Sequence, residues 1–346
     1  MEIVLQIALL IVGFVILIKG ADVFVDGASS TAENFKVPKM LIGLTIVAFG
    51  TSAPEFAVSV KSLLSGNADM LLGNVIGSNI LNILLIIGIA SMIKPLVVQS
   101  NTVRKELPIV ILMTLMFVTL MLDDVFDSSV VPSFSRQDGF VIVLAFGIFI
   151  YYLLQMNRAR KMTNELRKVD ETLELVEGTK KKKVVKKIDE RKPPMKLWKA
   201  LVLTVLGIGA IVLGSNLVVE SASNIATILG VSAKLIALTV VALGTSLPEL
   251  VTSIVATKKG EVDLALGNVV GSNIFNLGVV TGIPVALFGG IPDISFNYVD
   301  LAILVGSAIV LFIFARNDRR ITRREGAVLL STFIVYYSYV IVSGLN

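Results

Sequence analysis

The sequence predicts an all-α integral membrane protein of ten transmembrane helices, arranged as two inverted five-helix repeats with broken helices 2 and 7. Three observations predict this fold class. Hydrophobic residues make up 55% of the 346 residues and charged residues only 16%, with a mean hydropathy of +0.85. Apolar windows of about 18 or more residues, long enough to cross a hydrocarbon core about 30 Å thick, recur along the whole chain. The sequence of the first half also returns in the second half.

The apolar windows give the spans in order. Because no water reaches the hydrocarbon core, each backbone polar group needs an internal partner, so the spans are predicted to be helices. The predicted spans are 3–24, 39–64, 70–93, 106–122, 138–155, 197–220, 233–257, 263–290, 298–315 and 325–344. The N-terminus has neither a basic n-region nor a cleavage pattern, which predicts that the first span is retained.

A polar segment divides the chain into three parts: a first five-helix repeat (1–155), a basic loop (156–196) and a second five-helix repeat (197–346). Residues 165–177 could form a short helix. The lysine run at 180–187 is typical of a solvated segment or of one that contacts anionic lipid headgroups. A linker is the simpler interpretation of this loop, and regulation is the alternative.

Basic residues cluster in alternate loops, which predicts the orientation. The basic loops are 156–196 and those with Lys94, Arg104, Lys105, Lys258, Lys259, Arg316, Arg319, Arg320, Arg323 and Arg324. With ten spans these loops share one side, and the loops with Asp123, Asp124, Asp127, Asp293 and Asp300 share the other. Positively charged loops stay in the cytoplasm. The central loop is therefore predicted to be cytoplasmic and both termini extracellular, in the cell membrane.

The two halves align without a gap at an offset of 194 residues. "LIGLTIVAFGTSAPE" (41–55) lies over "LIALTVVALGTSLPE" (235–249), and "GNVIGSNILN" (73–82) lies over "GNVVGSNIFN" (267–276). Since each half has an odd number of predicted spans, the second half enters the membrane with the opposite orientation. Inverted repeats of this kind are typical of secondary transporters, whose sites lie near the midplane where the repeats meet.

The first motif places a proline and a glutamate inside an apolar span. Pro54 has no N–H for the carbonyl of Gly50, so the helix is predicted to kink or break there. Freed carbonyls around Ala48 and Phe49 would then join two hydroxyls and one carboxylate as oxygen ligands, because ionisable groups at this depth mark sites and pathways. The set is Ala48, Thr51, Ser52 and Glu55 in the first copy, and Ala242, Thr245, Ser246 and Glu249 in the second. The alternative is a neutral glutamate that only joins helices.

The second motif places polar side chains on one helix face. Asn74, Ser78 and Asn82 recur at intervals of four residues, and Asn268, Ser272 and Asn276 repeat the pattern. Ser78, Asn82, Ser272 and Asn276 are the better candidate ligands. For Asn74, Asn79, Asn268 and Asn273, hydrogen bonds between helices are an equally good explanation.

The chain has no cysteine and no histidine, so any cation site must use oxygen ligands. Two carboxylates with several neutral oxygens suit Ca²⁺, which takes about 6–8 oxygen ligands, and the two charges neutralise it. The same oxygens could bind several Na⁺ ions instead.

The paired "GTS-x-PE" and "GN-x-x-GSN-x-x-N" motifs resemble the α-repeats of the sodium/calcium exchanger family, within the cation/calcium exchanger superfamily. The likeness covers both halves and implies a compact microbial type without the calcium-sensing domains of animal members. It implies that the first and sixth spans slide, so that the ion site opens alternately to each side of the membrane. The implied ion ligands are Ala48, Thr51, Ser52, Glu55, Ser78, Asn82, Ala242, Thr245, Ser246, Glu249, Ser272 and Asn276.

Two comparisons within the superfamily refine that expectation. The "GNA-x-E" signature of proton/calcium exchangers is missing, which favours sodium as the counter-ion. Some relatives carry an aspartate where this chain has Asn276, so the ion stoichiometry and the pH response are open.

The sequence therefore predicts a Na⁺/Ca²⁺ antiporter: no enzyme, no cofactor, no nucleic-acid partner, a monomer in the lipid bilayer. H⁺ coupling, or coupling to Na⁺ and K⁺, is the nearest alternative. A cation channel is a more distant one, because the repeat is inverted within one chain.

Overall fold

A computed structural model gives the fold of residues 2–66, 68–126, 131–176, 195–231, 236, 239–240, 242–292, 294 and 297–345. These residues are almost entirely helical. The helices are α1 Glu2–Phe35, α2 Lys39–Thr51, α3 Ala53–Leu64, α4 Ala68–Leu81, α5 Gly88–Ile93, α6 Leu107–Met121, α7 Asp123–Phe126, α8 Arg136–Val176, α9 Leu197–Ile228, α10 Ala242–Thr245, α11 Leu247–Lys258, α12 Val262–Phe275, α13 Gly282–Phe288, α14 Tyr298–Arg316 and α15 Arg323–Leu345.

Wider π-helical turns interrupt several spans without ending them. They cover Gly43–Val47, Asn82–Ile87, Thr102–Glu106 and Asn276–Thr281. Two of them directly follow α4 and α12, and π turns of this kind occur often at functional sites.

Membrane-spanning length is reached by seven helices of the described chain, or by eight if α2 and α3 are one bent span. The axes of α2 and α3 differ by 46° at Ser52, one residue before the Ala53–Pro54 start of α3. The predicted break of helix 2 is therefore present. The fourth predicted span corresponds to α6, which has 15 residues, and the seventh lies partly outside the described residues.

Three predicted spans ended too early. The sixth was predicted to end at residue 220, but α9 continues to Ile228. The first span was predicted to end at residue 24, but α1 continues to Phe35. The fifth was predicted to end at 155 with a separate short helix at 165–177, but α8 runs unbroken from Arg136 to Val176. All three extensions are rich in polar residues, so the hydropathy pattern stops before the helices do. The lysine run at 180–187 lies outside the described residues.

The same succession of elements recurs at the offset seen in the sequence. Helices α3 and α4 and the π turn Asn82–Ile87 correspond, residue for residue, to α11, α12 and the π turn Asn276–Thr281. Both turns that leave α3 and α11 end in a glycine with positive φ, Gly66 (72°) and Gly260 (81°), a conformation that costs glycine little.

Two apolar cores organise the helices. The larger one surrounds α4, α6, α12 and α14, and the smaller one lies between α1, α9, α11 and α12. Helices α1 and α9 run antiparallel and nearly touch: a Cβ added at Gly207 would lie 2.6 Å from the Cα of Phe24.

Short backbone pairings also connect distant segments. Strand β1 (Leu96–Val97) pairs antiparallel with β2 (Arg320–Ile321), and Phe134 forms an isolated bridge with Ile291.

Candidate ion-binding site

The bend of the second span places Glu55 in the first turn of α3, and the corresponding break places Glu249 in the first turn of α11. Each glutamate directly follows a proline, which is tolerated at a helix start because its missing N–H has no partner there. The helix dipole favours a negative charge in the first turn. The broken helices therefore provide a favourable electrostatic position for both carboxylates.

The broken backbone differs from the prediction in one respect. The carbonyl of Ala48 is not freed, since it accepts a hydrogen bond from the Ser52 amide at 3.0 Å and also lies 3.4 Å from the Thr51 hydroxyl. The carbonyl that lacks the N–H of Pro248 is that of Gly244, and it accepts a hydrogen bond from Ser215 of α9 at 3.0 Å. Sequence reasoning missed Ser215, because the motifs do not extend to α9. Ala242 begins α10, and only its helical position is described.

Hydrogen bonds cross between the two motif copies at the carboxylates. Ser52 donates to Glu249 Oε1 at 2.8 Å, and Ser246 donates to Glu55 Oε1 at 3.1 Å. The hydroxyl of Ser246 also lies 3.1 Å from that of Ser78, and Ser272 donates to Glu249 Oε1 at 3.4 Å. Each copy thus orients the other's carboxylate, and both glutamates lie where the two motif copies meet.

Asparagines hold the helices around this site together. The Asn74 amide donates to the carbonyl of Glu55 at 3.2 Å, and the Asn268 amide donates to that of Glu249 at 3.3 Å. Thr51 donates to Asn268 Oδ1 at 3.0 Å, and Thr245 donates to Asn74 Oδ1 at 3.3 Å. These four side chains use their oxygens to join helices, which is the alternative role considered for the asparagines.

A second asparagine group lies deeper along α4 and α12. Asn82 donates to Asn273 Oδ1 at 3.0 Å, and Asn273 donates to the carbonyl of Asn79 at 3.3 Å. Asn79 donates to the carbonyl of Val75 in its own helix. Asn276, fully buried, has no hydrogen-bond partner on either its Oδ1 or its Nδ2.

Several buried acceptors at this centre have no hydrogen-bond partner. They are Glu55 Oε2, Glu249 Oε2, Asn79 Oδ1, Asn82 Oδ1 and Asn276 Oδ1. The side chains of Glu55 and Glu249 are 1% and 0% exposed. An unpartnered buried oxygen costs about 1–3 kcal/mol, and more if it is charged. Such a cost at neighbouring oxygens is offset when a cation binds them.

Among the described residues, no group of three or more aspartates and glutamates could hold a metal ion. The centre therefore offers two carboxylates and otherwise neutral oxygens. This set suits hard cations, which prefer oxygen ligands, and its two charges limit how much positive charge it neutralises.

Comparison with known proteins identifies the class. A family model described as sodium/calcium exchanger protein matches residues 5–155 and 199–342. The chain is 38% identical to the putative antiporter CaxA of Alkalimonas amylolytica, over 94% of this chain and 95% of that protein. It is 28% identical to the sodium/calcium exchanger MaX1 of Methanosarcina acetivorans, over 95% and 96% of the two chains.

Comparison with solved structures supports the same family. The fold superposes on the sodium-calcium exchanger NCX_Mj, soaked with 10 mM Na⁺ and 10 mM Sr²⁺, with a TM-score of 0.78 and 29% identity. The match covers 97% of this chain and 98% of that one. The fold and the family matches define a multi-pass membrane antiporter and not an enzyme. The chain belongs to the sodium/calcium exchanger family.

Proposed function

We propose that this protein exchanges Na⁺ for Ca²⁺ across the cell membrane by alternating access around a midplane site built from Glu55 and Glu249. The observation that carries the proposal is the group of buried, unpartnered oxygens on Glu55, Glu249, Asn82 and Asn276. Hydroxyls of the opposite motif copy orient both carboxylates, so that one oxygen of each is left for an ion.

The charge of the site gives a physical basis for exchange. One Ca²⁺ neutralises the two carboxylates, whereas an empty or partly filled site keeps a net negative charge. Moving such a charge through a poorly solvated barrier is costly, so the site crosses readily only when it is filled. Because Na⁺ and Ca²⁺ compete for the same oxygens, filling by one ion on one side drives release of the other.

The proposed ligands are the twelve residues implied by the family resemblance. The hydroxyl and amide contacts support Ser52, Ser78, Ser246 and Ser272 as groups beside the carboxylates. Because Thr51 and Thr245 donate their hydroxyl protons to Asn268 and Asn74, these two hydrogen bonds leave the lone pairs of both hydroxyl oxygens for an ion.

The architecture proposed for this function is ten spans in two inverted repeats, 1–155 and 197–346, joined by the loop 156–196. Its support is the recurrence of element boundaries at the same offset as the motifs. The positive-inside pattern supports a cytoplasmic loop and extracellular termini. A monomer is sufficient, since both halves of the site come from one chain.

The test is ⁴⁵Ca²⁺ uptake by proteoliposomes under an imposed Na⁺ gradient, compared with a pH gradient and with a K⁺ gradient added to Na⁺. Uptake driven by Na⁺ alone supports the proposal. Uptake driven by the pH gradient assigns the coupling to H⁺, which must then use the two glutamates because the chain has no histidine. Unitary currents in a planar bilayer would identify a channel. Absence of gradient-driven uptake in every arm would refute the exchange function.

A further inference from the structure

Helices α1 and α9 form a closely packed two-helix unit. A Cβ added at Gly214 would lie 2.5 Å from the Leu17 amide nitrogen, and one at Gly27 would lie 2.6 Å from that of Thr204. The start of α9 is also fixed to α1, because Asn34 donates to the carbonyl of Met195 at 2.8 Å. Such close packing over most of both lengths makes the pair a single mechanical element.

This unit packs unequally against the two equivalent helices α11 and α3. Along α11, Val251 is partly buried against the smaller core, to which α1 contributes Phe24 and Val25. At the equivalent position of α3, Ala57 is exposed. A surface groove of about 630 Å³ lies on α3 there, lined only by residues of α3 and of the turn after it: Phe56, Ala57, Val60, Lys61, Leu64 and Ser65. The unit therefore covers this position of α11 and leaves the equivalent position of α3 uncovered.

Ion pairs connect α1 to the turn that follows α11. Lys259, just after α11, contacts Asp26 of α1 at 2.6 Å and Asp22 at 2.8 Å. A second group adjoins it: Lys39 contacts Glu33 of α1 at 3.0 Å and Glu261 at 2.7 Å. We call Lys259, Asp22, Asp26, Lys39, Glu33 and Glu261 the ion-pair latch. Ser29 of α1 extends it by donating to Glu261 at 3.1 Å.

The other repeat lacks the equivalent of this latch. The position equivalent to Lys259 is Ser65, that of Asp22 is Asn216, and that of Asp26 is Glu220. Thus α9 keeps one acid, but the turn after α3 has no cation at the matching position. No ion pair links α9 to α3 within the described part of the chain.

We propose that the ion-pair latch biases the alternating-access equilibrium toward the conformation closed at the face that carries the basic loops. Suppose that the two inverted copies had identical sequences. The state open to one face and the state open to the other face would then differ only in which copy adopts which conformation, so the two states would have equal free energies. Only differences between the copies can favour one state. The latch is such a difference, and it forms only when α1 lies against α11. Its residues position the moving unit and do not touch the ion. This inference rests on the proposed inverted repeats and alternating access.

The test measures opening at each face without measuring transport. The chain has no cysteine, so Val251→Cys and Ala57→Cys are matched single-cysteine reporters at equivalent positions. Their labelling rates with a charged maleimide are measured in detergent, without Na⁺ or Ca²⁺. The ratio of the Val251→Cys rate to the Ala57→Cys rate reports the access equilibrium. Lys259→Gln breaks the latch, Lys259→Arg retains its charge, and Lys258→Gln is the control.

Lys259→Gln is expected to raise this ratio about fivefold, since partly exposed ion pairs contribute modestly and Lys259 makes two. Lys259→Arg and Lys258→Gln should leave it within about twofold. Ser65→Lys supplies the missing cation opposite Glu220 and should also raise the ratio, by slowing Ala57→Cys labelling.

An unchanged ratio in both Lys259→Gln and Ser65→Lys overturns the proposal. Ser65→Lys keeps the test decisive if Lys259→Gln does not fold. Because labelling needs no ion flux, failure of the latch is distinguishable from failure of Na⁺/Ca²⁺ exchange.

Discussion

Replacing Glu249 with glutamine tests the two-carboxylate site most directly. Glu249 is fully buried, its Oε1 accepts hydrogen bonds from Ser52 and Ser272, and its Oε2 has no partner. A glutamine has nearly the same shape, and its carbonyl can still accept from Ser52. The change therefore removes one charge and places an amide N–H₂ where the ion needs an acceptor, while most of the packing is retained.

The magnitude follows from the charge balance. With one carboxylate left, a bound Ca²⁺ carries one uncompensated positive charge in a poorly solvated place. An unpaired buried charge costs about 3–5 kcal/mol. Because each 1.4 kcal/mol is tenfold in affinity, Glu249→Gln should weaken Ca²⁺ binding by about 10²–10³-fold or more. Glu55→Gln should have the same effect, since its surroundings repeat those of Glu249.

The assay is Na⁺-driven ⁴⁵Ca²⁺ uptake into proteoliposomes over a range of Ca²⁺ concentrations. Glu106→Gln is the matched control. Glu106 is also a buried glutamate, 1% exposed, but it lies outside the site. Its Oε1 accepts a hydrogen bond at 2.7 Å from Tyr152, a residue of α8. The control should keep its Ca²⁺ affinity within about threefold, since its charge does not face the ion. If Glu249→Gln or Glu55→Gln exchanges Ca²⁺ with near-normal affinity while folded, the ion binds elsewhere and the reasoning is wrong.

Three further predictions concern the site, the loop and the orientation. Asn276→Asp adds a carboxylate at the unpartnered amide, so Ca²⁺ flux should become more pH-dependent, with tighter binding at high pH; a pH profile identical to that of the parent would contradict this. Shortening residues 165–190 should leave exchange intact and alter at most its response to anionic lipid, and a well-folded deletion that transports nothing would show a direct role. A single cysteine at Asp123 should react with an impermeant maleimide in intact cells, and one within 180–187 should not; the reverse pattern would invert the topology.

The sequence predicted the two ion-site motifs better than it predicted the helix ends and the contacts between distant helices. Pro54 kinks or breaks a helix whatever the surroundings, so the bend and the position of Glu55 in the first turn of a helix could be predicted from local chemistry. Glutamates and serines at equal offsets could likewise be paired from the alignment of the two halves alone.

What could not be predicted depends on contacts between distant helices. The hydrogen bond from Ser215 to Gly244 and the crossed bonds from Ser52 and Ser246 join segments that no local pattern relates. Helix ends were missed for another reason: residues 25–35 of α1 are polar, and their helical state is stabilised by packing against α9 rather than by lipid.

The backbone pairings between distant segments have a mechanical consequence. The Val98 amide donates to the Arg319 carbonyl at 2.8 Å beside the β1–β2 pair, and at the Phe134–Ile291 bridge each residue donates to the other, at 2.9 and 2.7 Å. These main-chain pairings, called staples here, join distant segments. The first joins the segment after the third predicted span to the segment after the ninth. The second joins the segment before the fifth predicted span to the segment after the eighth. Within the described chain, α1 and α9 take part in neither staple. The bundle is thus joined by main-chain pairings in which the α1–α9 pair has no part, and this arrangement suits the pair to the sliding that the family resemblance implies.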